Sequence, residues 1–139
     1  MSINEVIIKE LYASAEGETL NPEEFASFFA KDGYFLDMAT GEKWVGADVC
    51  QPIEGLASIF PDMHRELLKI YSTASDEVIV ELRLQGIQTC DLPTPSGTIP
   101  ASGKAFDVPC CDVFQLANGK VKAFHCYNMN SILLEQLSA

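Results

Sequence analysis

A chain of 139 residues, 47% hydrophobic and 21% charged, has room for one domain with a buried core, which excludes disorder as its main state. With 20 acidic against 9 basic side chains the formal charge is −11, and the basic residues are scattered singly. That balance repels phosphate backbones and anionic lipid, so neither nucleic acid nor membrane is an expected partner.

The opening Met1-Ser2-Ile3-Asn4-Glu5 carries no basic flank and no long apolar run, so no signal peptide is expected. No apolar stretch reaches the ~20 residues that span a bilayer. Ser2 followed by Glu5 forms a capping box ahead of Ile3, Val6, Ile7 and Leu11 at helical spacing. A second helix start has Asn21 as N-cap, Pro22 in the first turn and Glu24 at the box position, with Leu20 and Phe25 as a staple. Phe25, Phe28 and Phe29 give this helix one bulky face, and Lys31-Asp32-Gly33 is expected to end it. Tyr34 to Met38 reads as a short strand, turning at Thr40-Gly41 toward a return strand at Trp44-Val45. A third helix is expected over Ala47 to Phe60, kinked or started late at Pro52.

From His64 the period changes from helix to strand. Glu66 to Thr73 and Glu77 to Gln88 are strands, the second alternating cleanly with Val78, Val80, Leu82 and Leu84 on one face. His64 itself reads as a surface residue at a strand start. Asp91 to Gly103, rich in Pro, Gly, Ser and Thr, reads as one long loop at the rim of a site. Lys104 to Leu116 and Lys120 to Asn130 are two further strands, and Ser131 to Leu137 is a closing helix. Helices first and antiparallel strands afterwards predict an α+β fold, with residues 1–139 as a single domain.

Asn118-Gly119 between the last two strands is a strong hairpin signal. A two-residue turn pairs Ala117 with Lys120 and Leu116 with Val121. Continued without interruption, it sets Phe114 opposite Ala123, Asp112 opposite His125 and Cys110 opposite Tyr127. A three-residue turn would place Lys120 and Lys122 beside Leu116 and Phe114, so patterning prefers the first register. Under it Asp112 and His125 are cross-strand neighbours on an otherwise apolar face, within hydrogen-bond reach. A carboxylate beside an imidazole is a proton shuttle tuned near neutral pH, or a buried polar pair that satisfies only itself. Asp37 sits in an aromatic strand as a second acid/base candidate, or as an exposed strand-end carboxylate. Tyr34, Trp44, Phe29, Phe114 and Cys110 are candidate pocket walls, with core packing as the alternative for most of them.

The five cysteines (Cys50, Cys90, Cys110, Cys111, Cys126) lack the spacing of a disulfide framework or zinc site. Reduced thiols in a cytoplasmic protein are the expectation, with no metal and no cofactor.

Three segments resemble the SnoaL-like, polyketide-cyclase-like branch of the nuclear-transport-factor-2-like superfamily. Phe60-Pro61-Asp62 is similar to the element closing that family's third helix. Pro100-Ala101-Ser102-Gly103-Lys104 is similar to its Pro-Pro-Thr-Gly-Lys stretch. Cys111-Asp112-Val113-Phe114 through Asn118-Gly119-Lys120-Val121 is similar to its last hairpin. The resemblance implies a cone-shaped barrel, a curved and mostly antiparallel sheet wrapped by three N-terminal helices around an apolar cavity, often dimerised through the sheet. It also implies cofactor-free acid/base chemistry, with Asp112 at a family acidic position.

The expected function is therefore a cofactor-independent lyase or isomerase acting on a small apolar carbonyl compound. Asp112 and His125 would be the proton-transfer pair, Tyr127 the oxyanion donor and Asp37 a secondary acid/base. Two rivals stay open: a non-catalytic small-molecule or protein-binding module, and a filled cone whose sheet serves only to form a homodimer.

Overall fold

A computed structural model describes residues 2–138. Helix α1, Ile3–Ala15, starts as its capping box dictates: the Ser2 hydroxyl accepts from the Glu5 amide and the Glu5 carboxylate reaches back. It buries Ile8, Leu11, Tyr12, Ser14 and Ala15. Helix α2, Pro22–Ser27, is capped by the Asn21 side chain on the Glu24 amide.

Here the sequence expectation is corrected. The helix stops at Ser27, and strand β1 already runs over Phe29–Asp37. Gly33, read as a helix stop, instead sits in a register shift of β1 against the last strand. A Cβ at that position would lie 2.5 Å from the Val121 carbonyl oxygen, so glycine permits the close strand approach.

Strand β2, Lys43–Val45, returns antiparallel to β1. A 3-10 turn over Gly46–Cys50 leads into helix α3, Gln51–Ile59, so Pro52 marks a late helix start at a position where its missing N–H costs nothing. Strands β3 (His64–Ser72) and β4 (Glu77–Ile87) follow as expected.

The segment 91–103 is more ordered than a loop. It folds a two-stranded ribbon, β5 (Leu92–Thr94) with β6 (Gly97–Ile99). The fully buried Gln88 side chain anchors it, donating to the Ile99 carbonyl at 3.0 Å and accepting from the Ser102 hydroxyl at 2.7 Å. Strands β7 (Ala105–Ala117) and β8 (Lys120–Asn128) form the long last hairpin, and helix α4, Asn130–Ser138, closes the described chain.

The main sheet has the order β2-β1-β8-β7-β4-β3, antiparallel throughout except for β1 beside β8. This is the α+β cone the sequence predicts. Two apolar cores pack against its inner face. One joins α1, α2 and the central strands around Phe25, Phe35, Phe114 and Phe124; the other joins Phe60, Phe106, Val108 and Leu137. Among the described residues no helix is long and apolar enough to cross a membrane.

The register of the last hairpin carries the second correction. Asn118 and Gly119 do form the turn, with φ of 52° and 75°, and Leu116 meets Val121 as expected. A bulge then intervenes: Gln115 pairs with Ala123, leaving Lys122 as the extra residue of β8. Beyond it every pairing is displaced by one residue. Phe114 faces Phe124, Val113 faces His125, Asp112 faces Cys126, and Cys111 faces Tyr127.

The physical reason is the aromatic core. The bulge turns Phe124 inward in place of Ala123, where its ring lies 4.2 Å from that of Phe35 and 4.3 Å from that of Phe114, centroid to centroid. Burying a phenyl side chain contributes about 1.5–3 kcal/mol, enough to outweigh one interrupted ladder pairing.

Candidate active site

Between the two cores the cone stays open, leaving a cavity of about 410 Å³. Its walls are mostly apolar: Leu11 and Ala15 from α1, Ile53 and Leu56 from α3, Phe106 and Val108 from β7. Polar groups are few and concentrated on the sheet side, the usual make-up of a small-molecule site.

A buried pair among these joins α1 to β7. The Tyr12 hydroxyl donates to Asp112 Oδ2 at 2.6 Å, with both residues 3% exposed. From there polar contacts step along the wall. Cys110 Sγ lies 3.5 Å from Asp112 Oδ1 and 3.9 Å from Cys126 Sγ. Asn128 Nδ2 reaches Cys126 Sγ at 3.7 Å and donates to Asp37 Oδ1 at 3.1 Å. Asp37 ends β1, and its Oδ1 also accepts the Ala39 amide at 2.9 Å and the Thr40 amide at 3.3 Å, closing the turn into β2. Its Oδ2 has no partner among the described residues, and the side chain lines the cavity.

Electrostatics favour the neutral form at depth. Burial raises the Asp112 carboxyl above its usual range, outweighing the hydrogen bonds from Tyr12, Cys126 and Cys110 that favour the ionised form. Burial and the adjacent Asp112 charge hold the Tyr12 phenol well above its ordinary value. At Cys110 the contact with Cys126 favours the thiolate, yet burial and Asp112 outweigh it and the thiol is raised. Cys126 is raised well above the usual thiol range by its contact with Cys110, by burial and by Asp112.

The donor atoms of Cys110, Asp112 and Cys126 lie within 4.8 Å of one another, close enough to converge on one soft cation. Binding zinc there would require both thiols to lose protons that this environment retains.

Of the residues singled out from sequence, Asp112, Asp37, Trp44 and Cys110 line the cavity together. The expected dyad does not form. The bulge turns His125 to the outer face, opposite Val113, where its Nε2 lies 2.9 Å from the Tyr34 hydroxyl. Tyr127 is likewise outside, opposite Cys111 and 43% exposed. Phe29 and Phe114 belong to the core, and Tyr34 to the outer face, so none of the three walls the cavity.

Sequence reasoning missed Tyr12, Cys126, Asn128 and Arg65. Tyr12 carried a usable signal: a hydroxyl within the stripe Ile8, Leu11, Ala15 must find a buried partner, and a strand carboxyl is a natural one.

The SnoaL-like domain model matches residues 8–124, and the chain belongs to that family. No curated protein matches the sequence. Among solved structures, a protein from Jannaschia sp. CCS1 assigned as a SnoaL-like polyketide cyclase superposes with a TM-score of 0.82 at 20% identity, covering 99% of this chain and 92% of that one. A protein of ketosteroid isomerase-like fold from Catenulispora acidiphila DSM 44928, in complex with trimethylamine, gives 0.77 at 22% identity over 95% and 92%. An NTF2-like protein from Burkholderia thailandensis E264 gives 0.75 at 18% identity over 99% and 98%. At these identities the likeness establishes the fold.

Proposed function

We propose that this protein is a cofactor-independent enzyme that forms an enolate from a small, largely apolar carbonyl compound, the step that isomerases, cyclases and lyases of carbonyl substrates share. The observation that carries this reading is the Tyr12–Asp112 pair at the base of an apolar cavity whose wall also holds the half-free carboxylate of Asp37.

Burial favours the neutral acid at Asp112, so on binding the Tyr12 hydroxyl would turn its one proton from Asp112 Oδ2 to the carbonyl oxygen while the Asp112 acid donates beside it, two neutral donors in a low-dielectric site. Each would strengthen its bond as a carbonyl oxygen becomes an enolate oxygen, which is differential stabilisation of the transition state. A carboxylic acid kept neutral by an apolar surround can donate in this way, the device known from ketosteroid isomerase. Asp37, held through Oδ1 by two backbone amides and Asn128, keeps Oδ2 free to accept the α-proton. The proton leaves carbon for Asp37 while charge moves to the oxygen held by Tyr12 and Asp112. Where a double bond is conjugated to the enolate, return of the proton from Asp37 to its far carbon gives isomerisation; attack of the enolate carbon on a second carbonyl of the same molecule, whose oxygen then takes that proton, gives cyclisation.

Family membership supports the same chemistry, and the trimethylamine complex of the Catenulispora protein supports a fold that takes small organic molecules. The binding-module reading shares the cavity and gives the Tyr12–Asp112 bond only a structural task. A homodimer through the sheet remains part of the proposal: Tyr71 and Tyr127 stand exposed on its strands.

The test is hydrogen–deuterium exchange at the α-carbons of 2-tetralone, an apolar enolisable ketone, followed by NMR. Wild-type protein is expected to accelerate exchange, and Tyr12→Phe, Asp37→Asn and Asp112→Ala to lower the acceleration by about 10²–10³-fold each. Folded variants that exchange at the wild-type rate would overturn the assignment.

A further inference from the structure

Arg65 lies on β3 in register with Leu84 of β4 and Val108 of β7, a row that crosses the inner face of the sheet, and all three side chains line the cavity. Among the described residues it is the one basic side chain lining the cavity. Its Nη1 donates to the Ala15 carbonyl at 2.7 Å, which fixes the guanidinium against the end of α1. Its backbone amide is held by Glu16 Oε1 at 2.8 Å, so both ends of the residue are positioned.

What Arg65 lacks is a counter-charge. Arg83 pairs with Asp107 and Lys122 with Asp32, whereas no ion pair joins Arg65 to a carboxylate among the described residues. The rest of its fork makes no hydrogen bond to a described side chain or carbonyl. Its positive charge is felt at Asp112 and Cys110, favouring the ionised form of each, yet burial keeps the Asp112 carboxyl raised. A half-buried planar cation on an apolar wall has donors left over, and its fork geometry suits a carboxylate.

We infer that Arg65 binds a carboxylate on the substrate, so that the ligand class is an apolar oxo-acid whose ketone oxygen sits at Tyr12 and Asp112 and whose acid group sits at Arg65. This rests on reading the cavity as the substrate site, and it adds a second polar anchor that fixes which end of the molecule enters first. The ion pair is formed by the ligand itself, and no bond is made or broken at Arg65.

Binding measurements test this without any turnover. Trp44 is the only tryptophan and lines the cavity, so its fluorescence reports occupancy. The probes are 2-naphthoate and its neutral methyl ester, titrated into wild-type protein and into Arg65→Met. Naphthoate is expected to bind wild type about ten-fold or more tighter than the ester, and Arg65→Met to abolish that preference by lowering naphthoate affinity to that of the ester.

Equal affinity for acid and ester in wild-type protein would overturn the proposal, as would binding of neither probe. Equal weakening of both probes by Arg65→Met would do the same, leaving Arg65 as a support for the end of α1. Should Arg65→Met fail to fold, the wild-type acid–ester comparison still decides. Selective acid binding without any α-proton exchange would refute the enolate reading and leave the Arg65 site standing.

Discussion

The Tyr12–Asp112 bond is where stability and chemistry meet in single atoms. Removing the phenol oxygen in Tyr12→Phe leaves a fully buried carboxyl without its nearest donor, at a cost of about 1–3 kcal/mol, readable as a lower urea midpoint. The same bond favours the ionised carboxyl, so its loss should raise Asp112 further.

The sign of the pH effect follows from that elevation. A folded pKa above the unfolded value of about 3.9 means the native state holds the proton more tightly. The stabilising contribution is complete below the unfolded pKa and is lost as pH rises through the folded one. Asp112→Asn removes this dependence, so its stability relative to wild type should increase from acid toward neutral pH in urea unfolding curves. Parallel curves would contradict a raised Asp112. Activity should respond in the same direction, with wild-type exchange declining as Asp112 ionises.

At the scale of elements, the deciding feature is the bulge at Lys122. Phe124→Ala, which deletes the ring that the bulge carries into the core, should cost about 3–5 kcal/mol. His125→Phe removes only a contact with Tyr34 on the outer face and should leave α-proton exchange and probe binding at wild-type levels. Large loss of exchange in folded His125→Phe would restore the dyad expected from an unbroken hairpin.

Why the hairpin was half legible is a matter of what its residues encode. Asn118-Gly119 demands positive φ at both positions, so the turn and the first two pairs follow from local chemistry. Ala123 and Phe124 are both apolar, and only the volume left between Phe35 and Phe114 chooses Phe124 for the core. Periodicity cannot see that volume. The caps of α1 and α2 were readable for the same local reason as the turn, while the end of α2 was not. There the chain exchanges helical bonds for pairing with Val121, a residue more than ninety positions away. The β5–β6 ribbon was hidden likewise, since its anchor is the buried amide of Gln88 rather than anything in its own Pro- and Thr-rich stretch.

Across the whole molecule, the cone divides its labour by depth. The sheet carries the polar groups from Asp112 to Asp37, Tyr12 reaches them from α1, the rest of α1 and α3 supply apolar wall, and the outer face of the sheet is left for other contacts. Asp112 and Asp37 are visible in the sequence as carboxylates in apolar strands, whereas the His125 partner expected for Asp112 is wrong and Asn128 beside Asp37 is not foreseen, because partners depend on which face each strand presents. The claim that unites these observations is that a carbonyl oxygen is gripped by two neutral donors at the base of the cavity. Carbon-13 NMR of 2-tetralone labelled at its carbonyl reads this most directly. The bound carbonyl resonance should lie downfield of its position in water, and move back in Tyr12→Phe and in Asp112→Ala. A resonance matching the ketone in an apolar solvent, unchanged by either substitution, would mean the donors do not touch the substrate and would contradict the account.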